Sequence, residues 1–160
     1  MAIKFWQDQE RTQLDPKLFS DIAENEAKKV YQSAEPQGKD VKKNKPTQLR
    51  RFFDEIVAFE ARYNQALSKE PKESEKVFKQ HLPFIHMLIP KVKYAHARNL
   101  VSKDFVDLVK STIIDNLRKP EDLKILKSFF EAFMGHYKYC LTVEGQARQQ
   151  NYHGRSGGRR

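Results

Sequence analysis

"TQLRRFFDEIVAFEARYNQAL", residues 47–67, carries apolar side chains at Leu49, Phe52, Phe53, Ile56, Phe59, Tyr63 and Leu67. Gaps of three and four residues line these up on one side of an α-helix, whereas a strand would need them at every second position. The spacing predicts a helix from Thr47, as N-cap, to about Lys69. Arg50 and Arg51 then fall in its first turn, where the helix dipole disfavours cations. Asp54 and Glu55 stand at i, i+4 to the two arginines, but with the cation N-terminal, which is the weaker order. Each such pair contributes about 0.3–0.5 kcal/mol, close to the dipole cost of about 0.3–1 kcal/mol per charge. Local stability therefore gives no reason for two arginines here. An anion held by an arginine and by free N–H groups of the first turn would.

The same period recurs on both sides. Leu14-Asp15-Pro16 reads as a helix start, with Asp15 as N-cap, Pro16 in the first helical position and Leu14 stapled to Phe19. Its stripe is Leu18, Phe19, Ile22, Ala23, Ala27, Val30, Tyr31 and Ala34, closed by Pro36 and Gly38. Residues 36–46, "PQGKDVKKNKP", read as an exposed linker. A third helical region covers about 73–99, with Pro83 and Pro90 as breaks or kinks. A fourth begins at Ser102 with Phe105, Val106, Val109, Ile113, Ile114 and Leu117 facing inward. A fifth follows Lys119-Pro120 and presents Leu123, Leu126, Phe129, Phe130, Phe133 and Tyr137. No segment alternates with period two. The expected fold is all-α: a compact bundle of about five helices with a mobile N-terminal stub and a flexible basic C-terminal tail. It divides into an N-terminal helix and linker (1–46), a helical core (47–142) and a disordered tail (143–160).

Composition narrows the function. The 160 residues suit one domain with a sizeable core. No apolar run is long enough for a membrane span, and the first residues lack the features of a signal peptide. Cys140 is the only cysteine, which leaves no internal disulfide or cysteine-based zinc site and points to the cytoplasm. His81, His86 and His96 lack the i, i+4 spacing of a helical metal pair, and His96 shares a face with Ile85, Ile89 and Val92 as a core histidine would. Glu70, Glu73 and Glu75 stand among lysines as a solvated surface. Glycines form no phosphate-binding loop. The pattern supports neither an enzyme nor a cofactor.

Charge is more informative. The net charge is +9, and residues 83–103 carry four basic and no acidic residues. The last twenty residues carry four basic and one acidic. A localised basic excess is the footprint of a polyanion partner. Within "LIPKVKYAHARNLVSK", residues 88–103, the helical wheel puts Leu88, Ile89, Val92, His96 and Leu100 on one side. Lys91, Tyr94, Ala95 and Arg98 fall on the other, where cations can reach phosphates, Tyr94 can stack and Ala95 lets a backbone come close.

These residues resemble a family. Gln48, Leu49, Arg50 and Phe52, followed by Ile89, Pro90, Lys91, Tyr94 and Arg98, are similar to the paired signature of the small, all-α subunit of type III-A CRISPR effector complexes, the Csm complexes. The resemblance spans roughly residues 45–140. It implies a subunit without an active site, stacked in several copies along a ribonucleoprotein filament. There it would line the groove that holds guide RNA and target RNA, against the backbone and large subunits. The family's basic contacts map onto Arg50, Lys91 and Arg98; charge and position add Arg51, Lys93 and Lys103. Recognition would run through backbone and shape, with sequence read by guide–target pairing. The competing readings are a helical DNA-binding module and a protein adaptor with a basic patch. The acidic "KDFVDLVK" after Val101-Ser102 suits a recognition helix poorly.

Overall fold

A computed structural model of the chain describes residues 2–34 and 43–144. Within them lie six α-helices: α1 (Ala23–Ser33), α2 (Pro46–Lys69), α3 (Ser74–His86), α4 (Leu88–Ala97), α5 (Lys103–Asn116) and α6 (Pro120–Tyr139). A widened π-turn, Leu18–Ile22, leads into α1, and another, Cys140–Glu144, continues α6. Among the described residues there is no strand, only an isolated bridge between Trp6 and Leu14. The all-α expectation is met. The tail expected over 143–160 lies outside the described residues from 145 onward, as do the proposed helix closure at Pro36 and Gly38 and most of the linker.

α6 is the central helix, packed against α1 and α2, while α5 packs on α4 and α1. All six residues expected on its inner face are buried, and Phe129, Phe130, Phe133 and Tyr137 form a continuous run of aromatic contacts with Phe5, Phe105 and Tyr31. On α2, Leu49, Phe52, Ile56, Phe59 and Tyr63 are buried, with Phe53 and Leu67 partly so. Ser102, the expected start of this helix, is the N-cap of α5, its hydroxyl accepting from Phe105 N. Two stripe residues point outward instead: Phe19, in the π-turn whose wider winding rotates it off the α-helical stripe, and Ile114. Leu108 takes the inward place on α5.

The third helical region breaks at Met87. Pro90 has no N–H for the carbonyl of His86, and its ring clashes with that carbonyl, so α3 ends there and α4 starts anew. Pro83 is accommodated inside α3.

The N-terminal residues form a packed hook, contrary to the expected mobile stub. Phe5 is fully buried and Ile3 nearly so. Asn116 binds both ends of this segment, accepting from Phe5 N at 2.8 Å and donating to Ile3 O at 2.8 Å. Asp122 accepts from Trp6 Nε1 and pairs with Arg11 at 2.8 Å, while its other oxygen caps α6 through the Arg118 and Lys119 amides. Asp8 closes the hook's turn by accepting from the Thr12 hydroxyl and from the Thr12 and Gln13 amides. These bonds hold its pKa at about 2.

Asn44 corrects the reading of the linker. It is 1% exposed although its neighbours are polar. Its N–H donates to Leu100 O, its amide NH2 to Val30 O and Ser102 Oγ, and its Oδ1 accepts from Ser102 N at 2.7 Å. Its carbonyl accepts from Tyr137, whose hydroxyl is kept neutral because burial pushes its pKa far up. The backbone takes φ 59°, which Asn tolerates better than most residues.

Asn44→Ala should lower unfolding free energy in urea by about 3 kcal/mol, since it strands the buried Ser102 N–H and strains the backbone. Asn44→Gly should lose less, because it relieves the strain alone. Phe5→Ala should cost about 3–5 kcal/mol. Asp8 binds fewer protons folded than unfolded, so its contribution is present above about pH 4 and fades as pH falls toward 2. Asp8→Asn should flatten that acid limb of a stability-versus-pH curve.

Candidate nucleic-acid interface

The two motifs meet because Asn44 pins the entry of α2 to the turn after α4, through Leu100 and Ser102. Farther along, Lys91 Nζ reaches Glu55 Oε2 at 2.7 Å. These two ties run α2 and α4 in opposite directions, with residues 44 and 100 level at one end and 55 and 91 at the other.

α2 starts at Pro46, with Lys45 as its N-cap, not at Thr47. Pro suits that first position because its missing N–H is not needed there. Arg50 and Arg51 are consequently in the second turn, beyond the strongest reach of the dipole. The amides of Gln48 and Leu49 already bond to Lys45 O, so free N–H groups do not stand ready beside the arginines.

The partners also differ from the i, i+4 arithmetic. Arg50 faces Asp54 at 3.9 Å with its side chain 72% exposed, a loose pair. Glu55, expected to serve Arg51, is taken by Lys91. Arg51 is exposed with no ion pair to a described residue. At 100° per residue Arg51 lies 40° from Glu55, on the α4 side, and Arg62 lies on the same face. Arg50 points 100° away from Arg51.

On α4, Met87, Lys91, Tyr94 and Arg98 share a face, spaced i, i+4, i+7, i+11. Tyr94 is 66% exposed, and the Arg98 guanidinium lies over its ring at 5.6 Å. Ala95 is buried beside Leu88 and Val92, so the low point expected between the cations does not exist. Lys93 is exposed but sits 200° round the helix from Lys91. Lys103 opens α5 and is ion-paired with Asp107. His96 is half-buried with Nδ1 at 2.9 Å from Val101 O, the core role expected of it. Among the described residues no three metal-ligating side chains converge.

Between α2, α3 and α4 lies an open groove of about 380 Å³, lined by Glu55, Phe59, Arg62, Phe84, Met87 and Lys91 among others. Phe84 and Met87 are 67% and 50% exposed there. The arrangement is a basic and aromatic strip (Arg51, Lys91, Tyr94, Arg98) beside an apolar groove. It offers phosphate contacts and a stacking surface, and it assembles no nucleophile with a base. Arg62 escaped the reading of the sequence, although its place eleven residues after Arg51 puts both on one helical face.

A family model described as Csm2 Type III-A matches residues 24–142. The chain belongs to that family. Csm2 is the small structural subunit of the type III-A Csm effector complex. The match takes in α1 through α6, so it reaches further toward the N-terminus than the two motifs, and it leaves the hook at residues 2–17 outside. No curated protein and no solved structure matches the chain. Among the described residues no helix is long and apolar enough to cross a membrane.

Because the strip is exposed, Tyr94→Ala and Arg98→Ala should leave the melting temperature within about 1–2 °C of the parent. A Glu55/Lys91 double-mutant cycle should give a coupling no larger than about 1 kcal/mol, the range of half-exposed pairs.

Proposed function

We propose that this Csm2 chain lines the groove for guide RNA and target RNA in the effector complex, touching the RNA backbone with the α2–α4 strip. The observation that carries this reading is the strip itself: Lys91, Tyr94 and Arg98 on one face of α4, with exposed Arg51 one turn from Glu55, the α2 residue that meets Lys91. Lysine and arginine there neutralise phosphates, and Tyr94 supplies a sequence-tolerant stacking plane. Arg50, which fits the family motif, and Lys103 sit at the edges of the strip, and Lys93 lies on the far side of α4. Geometry therefore ranks Arg51 ahead of Arg50. In the assembly the subunit packs against backbone and large subunits and further copies of itself, and contributes no chemistry of its own. A protein-adaptor role for the same face has one observation in its favour, the exposed Phe84 and Met87 at the groove.

Fluorescence anisotropy with a guide–target RNA duplex separates these readings. The Arg50/Lys91/Arg98→Ala variant should bind at least about tenfold more weakly at moderate salt, with a shallower slope of log K against log salt and unchanged helicity. Unaltered affinity and slope in a folded variant would place the RNA elsewhere. Among single variants, Arg51→Ala should weaken binding more than Arg50→Ala.

A further inference from the structure

Glu55 is the one carboxylate that, among the described residues, lies within ion-pair distance of a cation of α4. From His81 to Lys103 the chain has no acid of its own. Glu55 reaches this stretch only from the other helix, spanning the groove to Lys91 Nζ at 2.7 Å. It also stands one turn from Arg51 and two turns from Arg62 on the same α2 face. The carboxylate thus stands against Lys91, on the α2 face that also carries Arg51 and Arg62.

Its side chain is 43% exposed and that of Lys91 50% exposed, so the pair is open to solvent and to exchange. Such pairs contribute little to folding. What Glu55 does do is occupy the lysine with the same kind of group that an RNA phosphate would offer. A phosphate arriving at Lys91 must displace the carboxylate or lie beside it, and like charges repel in either case.

Resting on the RNA-lining reading above, we propose that Glu55 is a resident competitor for RNA phosphate. It holds Lys91 across the groove and sets a low RNA affinity for the lone subunit. Tight binding then comes from several copies engaging one RNA together, where modest individual contacts multiply through effective concentration. A lone copy meeting other cellular RNA lacks that multiplication and lets go.

The test uses the full chain, a 30-nucleotide oligouridine as probe, and anisotropy at salt concentrations from 50 to 300 mM. Glu55→Gln keeps the size of the side chain and removes the charge. It should tighten binding by about three- to tenfold and steepen the slope of log K against log salt by about 0.7, the value for one further phosphate contact on a single strand. Glu131→Gln, an exposed acid on α6, changes net charge by the same amount and should tighten binding far less. Equal gains in both variants would overturn the proposal in favour of a net-charge effect. A loss of affinity in Glu55→Gln would also overturn it, showing that the carboxylate aims Lys91 at the RNA. No change in Glu55→Gln, with clear binding by the parent chain, would overturn it too. If neither parent nor variant binds at 50 mM salt, the RNA-lining reading itself fails.

Discussion

Asn44 commits each of its backbone and side-chain polar groups to holding separate parts of the chain together, and the geometry of the interface depends on it. It joins α1 at Val30, the turn between α4 and α5 at Leu100 and Ser102, and α6 at Tyr137. A buried amide with all its bonds made is a demanding arrangement, since losing one partner leaves another group unsatisfied in a low-dielectric setting. The left-handed backbone at this residue adds a cost that the network offsets. Because Asn44 immediately precedes Lys45 and Pro46, fixing it also fixes where α2 begins. Glu55 then meets Lys91 of α4, and Arg51 stands one turn before it on the same flank of α2.

Periodicity made much of the fold readable. A stripe of seven apolar residues on α2 and six on α6 leaves the helix no other face to bury, so the inner sides of both helices follow from spacing. The failures have specific causes. Ala95 is small enough to suit either face, and only its neighbours Leu88 and Val92 place it inside. Phe19 precedes the regular helix, where the π-turn breaks the 100° step. Asn44 stands in a stretch whose composition says loop, and composition carries no trace of a bond to a residue 58 positions away.

The interface divides in the same way. Which side of α4 holds Lys91, Tyr94 and Arg98 was legible, because it is a matter of one helix. The partner of Glu55 was not. Counting along α2 assigns it to Arg51, whereas across the groove a lysine from another helix approaches to 2.7 Å. Pairing between elements depends on tertiary placement, and an i, i+4 cation and a cross-helix cation are indistinguishable until that placement is known. The consequence is chemical: Arg51, not Lys91, is the cation left without a described counterion.

The N-terminal hook has a consequence in time. Its buried contacts run from Ile3 and Phe5 to Asn116, and from Trp6 and Arg11 to Asp122, separations of more than 100 residues. These residues, made before α1, therefore wait for α5 and α6 before they have anything to bind. Contacts of such range are late to form, and Phe5 and Trp6 remain uncovered during the wait. Once Asn116 and Asp122 emerge, the hook closes over helices made more than 100 residues after it. The order of synthesis and the order of folding are thus opposed at this one place.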